Sequence, residues 1–193
     1  MKIWLYLVLI ISSSSLVFAE ETPNESQVQL SNYRFVEGDW YLINQSDLNP
    51  APQFFYVNMK IVGDGHMLKN SWNKFKPGFE VDQNNLPDLK VFKKQTEEFG
   101  LVLQTFDPAK GAMITNFFNI ETSAWNIGEA VTTVQQGLIE TSGEGSDMYG
   151  PYQYYTKLEK ISDDQHQWVS QRLYQSLGFW LTVDSYVATR IKH

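Results

Sequence analysis

Residues 54–69 read FFYVNMKIVGDGHMLK, and this stretch decides the fold class. Large apolar side chains recur at every second position, as in Phe55, Val57 and Met59, which is the period of a β-strand rather than a helix. Residues 63–65 (GDG) follow, and glycines accept the positive φ that a tight hairpin requires. The stretch therefore predicts two antiparallel strands joined by a short turn.

The same arrangement recurs along most of the chain. Residues 107–111 (DPAKG) separate two further strand-like runs, and turn-forming residues flank the segments 166–175 and 179–191. No segment predicts a convincing helix, and residues 77–89 are expected to form a loop because they contain two prolines, a glycine and paired asparagines. Eight to ten consecutive strands predict an all-β fold, an antiparallel up-and-down barrel that closes and so has no exposed sheet edges.

The start of the chain predicts export. Residues 1–19, MKIWLYLVLIISSSSLVFA, contain one basic residue, an apolar run and a small-residue exit, which are the parts of a secretory signal peptide. A membrane anchor is disfavoured because the apolar run is far shorter than the roughly 20 residues that cross a bilayer. Residues 20–32 are polar and are expected to be flexible. We therefore expect residues 33–193 to form one domain in the periplasm or outside the cell.

The composition disfavours several classes of partner and several kinds of site. The chain has no cysteine, so no disulfide and no lipid attached through cysteine are expected. Its 15 basic and 22 acidic residues give a net charge of −7, which disfavours nucleic acid and anionic membranes as partners. The three histidines lack the local spacing of a metal site, and no glycine pattern indicates a phosphate-binding cofactor. We expect no metal and no cofactor, and the oligomeric state is left open.

A resemblance to a known superfamily rests on the two ends of the domain. Residues 35–40 read FVEGDW at the start of the first predicted strand, and Arg190 lies near the end of the last. This pair resembles the Gly-x-Trp motif and the distant arginine of the calycin superfamily, which includes the lipocalins. The resemblance implies a lipocalin-like barrel but no particular activity.

The order of motifs inside the domain is similar to that of uncharacterised bacterial lipocalin-like domains of unknown function. Asp64–Gly65, residues 161–168 (ISDDQHQW), Trp180 and Arg190 follow in the order and spacing of that family. The chain departs from the family at residues 176–180 (SLGFW), where an aspartate-glycine-glycine hairpin is usual. The register of the last hairpin is therefore left open.

Gly38, Trp40 and Arg190 are predicted to form a structural clamp. The first and last strands become neighbours when a barrel closes, so the guanidinium can lie across the indole ring. Such a cation–π contact contributes about 0.5–2 kcal/mol. We expect these residues to hold one end of the barrel shut rather than to bind a ligand.

One face of the last two predicted strands is rich in rings and a few polar groups, the usual lining of a small-molecule pocket. If this face points inward, the lumen candidates for binding an apolar or aromatic ligand are Trp168, Arg172, Tyr174, Trp180, Asp184 and Tyr186. Arg172 and Asp184 are expected to form a pair there. The opposite face of the last strand is also apolar, so the period alone does not decide which face points inward.

Three functional hypotheses remain. The first is a carrier that binds a small apolar or aromatic ligand. The second is an isomerase-like or hydrolase-like enzyme that uses Asp184 or a histidine with tyrosines in the lumen, although no residue can be assigned as catalytic. The third is a protein-interaction module that uses the tyrosine-rich segment 143–155, which is expected, together with residues 124–131, to form loops around the mouth.

Overall fold

The computed structural model describes residues 30–48, 50–82, 84–135, 137–147 and 149–192. The predicted signal peptide and most of the segment predicted to be flexible lie outside these residues. No helix in the described ranges is long and apolar enough to cross a membrane.

The described residues form ten antiparallel strands in one closed sheet. The strands are β1 Gly38–Gln45, β2 Gln53–Val62, β3 Met67–Phe75, β4 Thr96–Asp107, β5 Ala112–Asn119, β6 Ala124–Gln135, β7 Leu138–Asp147, β8 Gly150–Ser162, β9 Gln165–Tyr174 and β10 Trp180–Arg190. Each strand pairs with the next one along the chain, and β10 returns to pair with β1. The prediction of an all-β, up-and-down, lipocalin-like barrel is confirmed.

One end of the barrel is filled by side chains that precede and begin β1. Leu30 is completely buried, and it belongs to the same apolar cluster as Val36, Trp40 and Leu42. A 3-10 turn at Arg34–Val36 carries this segment across the end of the barrel. The packed part of the chain therefore begins at least three residues before Tyr33, where the sequence predicted the domain to start.

A short helix, α1 at Leu89–Gln95, corrects the prediction that the chain contains no helix. The Asp88 side chain caps it by accepting a hydrogen bond from the Val91 backbone N–H at 3.0 Å. Phe92 is fully buried against outward-facing rings of β1 and β2, Tyr41 and Tyr56. A helix of this length is stabilised by such packing rather than by its own sequence, so it left no clear periodic signal.

The two segments expected to be loops at the mouth are largely strand. Residues 124–131 lie within β6, and residues 143–147 and 150–155 form the ends of β7 and β8 that pair with each other. Glycine normally weakens a strand, which is why GEGSD looked like a loop. Here the Tyr154 and Tyr152 rings lie over Gly143 and Gly145, where a side chain would otherwise stand.

The candidate functional site is the barrel lumen

The lumen contains a cavity of about 240 Å³ that the barrel's own side chains leave open. The apolar part of its described lining includes Met59, Leu68, Val102, Ile139, Leu158 and Trp168. The polar part includes Asn70, Gln104, Thr115, Thr141, Thr156 and Asp184. The wall is therefore mainly apolar with separate polar groups, as in pockets for small molecules.

A second pocket, of about 440 Å³, lies at the mouth of the barrel. Its lining includes Asn44, Ser170 and Arg172, and it shares Trp168 and Asp184 with the deeper cavity. The two pockets therefore lie next to each other along the barrel, and the side chains of Trp168 and Asp184 border both.

Most of the predicted lumen candidates lie on the inner face. Trp168 stacks on Tyr186 with ring centroids 5.5 Å apart, and both rings line the deep cavity with Asp184. Arg172 lines the pocket at the mouth, and Tyr174 is buried beside it. These five residues therefore lie together on the inner face of β9 and β10, where the sequence pattern had placed them as one alternative.

Trp180 does not lie with them, which corrects its placement in the lumen. A β-bulge between Thr182 and Asp184 inserts one extra residue in β10, so the side chains before the bulge point the opposite way. Leu181 is the residue opposite Arg172, while Trp180 is opposite Leu173 on the outer wall and is 44% exposed. The bulge lies shortly after residues 176–180.

Arg172 pairs with Asp147. The pair predicted from the sequence, Arg172 with Asp184, is therefore wrong. One Asp147 carboxylate oxygen accepts hydrogen bonds from Arg172 and from the Tyr174 hydroxyl, both at 2.7 Å. The guanidinium also lies 4.4 Å from the centre of the Tyr152 ring. Partial burial by itself would raise the pKa of Asp147, but these donors and the Tyr149 backbone N–H lower it overall. Arg172 and Asp147 therefore form an ionised pair that links β7 to β9 at the mouth.

The Asp184 carboxyl group is largely buried in the lumen, where it borders both pockets. Burial raises the pKa of its carboxyl group, and hydrogen bonds from Asn44 and the Ser185 backbone oppose that rise only in part. The charged form is thus less favourable here than in water.

The closed end carries the predicted clamp. The Arg190 guanidinium carbon lies 4.1 Å from the centre of the Trp40 ring. Its N–H groups donate to the backbone carbonyls of Phe35 at 3.3 Å, Glu37 at 2.8 Å and Asp163 at 2.9 Å. Gly38 makes room for this contact, because a Cβ at that position would collide with the guanidinium. The clamp joins the chain before β1, the β8–β9 turn and the end of β10.

His166 is fully buried beneath this clamp. Its ring meets the Trp40 ring edge-on with centroids 4.3 Å apart, and neither ring nitrogen has a hydrogen-bond partner. Burial, and to a lesser extent the Arg190 charge, lowers its pKa to about 3. The imidazole is therefore neutral at physiological pH.

Three residues with buried polar atoms on the inner wall were not predicted from the sequence. Asn44 Oδ1, Asn70 Oδ1 and Trp72 Nε1 are buried without a hydrogen-bond partner. They occupy alternate positions of β1 and β3, but both faces of β3 mix large and polar residues, so the pattern gave no reason to select them. In the described ranges no group of three or more acidic or histidine residues could hold a metal ion.

Comparisons with known proteins show likenesses of fold only. No family model and no curated protein matches the chain. A solved structure of an S-type phycobiliprotein lyase, CPES, from Guillardia theta is 14% identical, covers 89% of this chain and 99% of its own, and has a TM-score of 0.45. The protein EF1p2_mFAP2b bound to DFHBI is 6% identical, with coverages of 84% and 98% and a TM-score of 0.31.

A third similar structure is a protein of unknown function from the DUF3598 family of Nostoc punctiforme. It is 10% identical, covers 84% of this chain and 99% of its own, and has a TM-score of 0.23. Because all three TM-scores are below 0.5, none of these structures assigns a role to a residue of this chain. The class that the fold and the lumen define is a lipocalin-like barrel, and membership in the bacterial lipocalin-like family stays a prediction.

Proposed function

We propose that this protein binds a small apolar or aromatic molecule inside its barrel. The observation that carries the proposal is the cavity of about 240 Å³ on the inner wall, lined by Trp168, Leu158, Met59 and similar apolar groups. A cavity of about 150 Å³ lined by apolar groups takes up benzene, so by the same ratio this one has room for roughly ten non-hydrogen atoms. That is the size of a bicyclic aromatic compound.

The alternative of an enzyme was predicted to use Asp184 or a histidine with tyrosines in the lumen. Asp184 and Tyr186 line the deep cavity, whereas His166 is not among its described lining residues. A second group of titratable side chains lies at the mouth. Asp147, Arg172 and Tyr174 are within hydrogen-bond reach of one another, which is the kind of proximity that such chemistry needs. However, Asp147 Oδ1 accepts from the Tyr149 backbone while Oδ2 accepts from the other two. A carboxylate held in this way is a poor proton acceptor for a substrate.

The interaction-module hypothesis loses part of its surface, because two of the four tyrosines in segment 143–155 point inward. Tyr155 is half-buried on the outer wall and already donates a hydrogen bond to Glu140. Tyr152 and Tyr154 lie opposite Tyr174 and Arg172 and share their inner face, so they are turned away from a protein partner. Tyr149 is the tyrosine of this segment that is strongly exposed, at 64%. One exposed ring is a small surface compared with the 20–30 residues that each side of a typical interface contributes.

Blocking the lumen tests the proposal. Thr141 lines the cavity, and its neighbour Ser142 on β7 is exposed on the outer wall. Thr141→Phe should fill the cavity and weaken binding of naphthalene and 2-naphthol at least about tenfold in isothermal titration calorimetry. Ser142→Phe adds the same ring on the other face and should leave both affinities unchanged. Binding that is equal in the two variants, or no binding by the unmodified protein, would contradict the proposal.

We further propose that the chain is exported and that its mature form begins at Glu20. The support is the composition of residues 1–19. Intact-mass measurement of the protein secreted or released from the periplasm of its own host should give the mass of residues 20–193. A mass that includes residues 1–19 would contradict this proposal without affecting the one on ligand binding.

A further inference from the structure

Polar atoms on the inner wall indicate what kind of molecule the lumen accepts. Asn70 Oδ1 and Trp72 Nε1 are buried without a hydrogen-bond partner, and both residues line the deep cavity. Asn70 is only 8% exposed. An unpartnered buried polar atom destabilises a fold, and an apolar residue of the same shape would remove that cost. Asn70 Oδ1 and Trp72 Nε1 therefore do not stabilise the packed barrel, and both are free to form a hydrogen bond with a ligand in the cavity.

The two residues present complementary groups on one strand. They are two positions apart on β3, so their side chains share the inner face and their Cα atoms are about 7 Å apart. The Trp72 indole N–H can only donate a hydrogen bond, and the Asn70 carbonyl can only accept one. The terminal amide of asparagine also turns readily about its last torsion, so it can adapt to the molecule beside it. A matching ligand presents an acceptor to Trp72 and a donor to Asn70.

The charges around the cavity favour a neutral ligand. None of the described residues that line the deep cavity is a lysine or arginine, so a carboxylate or phosphate there would have no cationic partner. Arg172 lies further out at the mouth and is already paired with Asp147. Asp184 would repel an anion whenever it is ionised.

We propose that the lumen binds a neutral, planar bicyclic aromatic compound with a hydrogen-bond donor and an acceptor on one edge, as in a lactam, held by Asn70 and Trp72. This inference rests on the proposed function and makes it more specific. Water that occupies such a site makes hydrogen bonds with the wall, and a purely apolar ligand that displaces it cannot replace them. The N–H and C=O groups of a lactam can replace these hydrogen bonds.

A matched set of probes tests the inference by isothermal titration calorimetry. The probes are naphthalene, 2-naphthol, quinoline and quinolin-2(1H)-one, which have nearly the same size. Naphthalene offers neither group, 2-naphthol a single hydroxyl that donates and only weakly accepts, quinoline an acceptor alone, and quinolin-2(1H)-one a separate donor and acceptor. Quinolin-2(1H)-one should bind about tenfold more tightly than naphthalene, since each good hydrogen bond contributes a factor of about three to ten. A cationic probe, 2-naphthylmethylammonium, should bind most weakly.

Single substitutions then assign the contacts. Trp72→Phe and Asn70→Leu should each weaken quinolin-2(1H)-one binding about fivefold and leave naphthalene binding equal or tighter. Melting temperatures of the free variants should be unchanged or higher, which a merely structural role for these groups would not allow. Trp180→Phe removes the same N–H from the outer wall and should change no affinity.

The outcomes distinguish failure of the lactam preference from failure of ligand binding itself. Equal or tighter binding of naphthalene overturns the inference and leaves the proposed function standing. Tightest binding of the cationic probe also overturns the inference, because it would make Asp184 the recognition group. If none of the probes binds, the proposed function itself fails.

Discussion

The two ends of the barrel are built in opposite ways. At the closed end, Leu30, Trp40 and His166 are fully buried, and Arg190 joins three separate backbone segments across the opening. At the mouth, the charged pair Arg172–Asp147 is partly exposed. One end is dry and densely packed, and the other is polar and reached by solvent.

This difference indicates that the closed end stabilises the fold, whereas the mouth contributes little to stability. Apolar burial and multiple hydrogen bonds from one guanidinium stabilise the fold at the closed end. Partly exposed ion pairs contribute little to stability, so the mouth can change its side chains without unfolding the barrel. The deep cavity lies between the two.

The largest expected effect comes from breaking the clamp. Arg190→Ala removes a cation–π contact and leaves three backbone carbonyls without their donors, so we expect a loss of about 4 kcal/mol in the free energy of unfolding. Arg190→Lys keeps the charge but loses the planar fork, and it should recover less than half of the loss. Urea denaturation measures both. Ligand affinity under conditions where the variant is folded should change by less than about threefold.

Acid should weaken the closed end next. The pKa of His166 is lowered to about 3 in the folded protein, against about 6.5 for an unfolded chain. Between these values the unfolded state binds a proton that the folded state does not, so stability falls as the pH falls. The loss contributed by His166 is about 1.4 kcal/mol per pH unit, or roughly 3 kcal/mol between pH 6.5 and pH 4.

Denaturation of His166→Phe across this pH range isolates that contribution. Phenylalanine keeps the buried ring and cannot be protonated, so the stability of this variant should fall less steeply with decreasing pH. His66→Gln, in an exposed turn, serves as the control and should retain the full slope. A slope in His166→Phe equal to that of the unmodified protein would show that His166 is not buried as described.

The smallest effect is expected at the mouth. Asp147→Asn breaks the ion pair with Arg172, but both side chains are partly exposed and solvent screens the pair. The melting temperature should fall by only about 2 °C. A fall as large as that of Arg190→Ala, measured side by side by differential scanning calorimetry, would mean that the two ends do not differ in the way proposed.

Much of the architecture was predictable because it depends on patterns that repeat. The period of two in residues 54–69 and the turns at 63–65 and 107–111 predicted the strands, and the neighbourhood of first and last strands predicted the contact between Trp40 and Arg190. These inferences need no knowledge of individual packing.

The features that sequence reasoning missed depend on tertiary contacts. Helix α1 forms because Phe92 finds buried rings on the outer wall, and the strand at Gly143 forms because Tyr154 packs over it. The bulge before Asp184 turned Trp180 outward, since one inserted residue reverses the alternation. Asn70 and Trp72 could not be selected because a period of two does not say which face lies inside.

Ligand binding in the lumen is tested most directly by native mass spectrometry of the protein purified from its own host, together with Thr141→Phe prepared in the same way. We expect a small neutral molecule bound to the unmodified protein at one copy per chain and absent from the variant with the filled lumen. The same molecule on both proteins, or none on either, would contradict the claim that this barrel carries a ligand in its lumen.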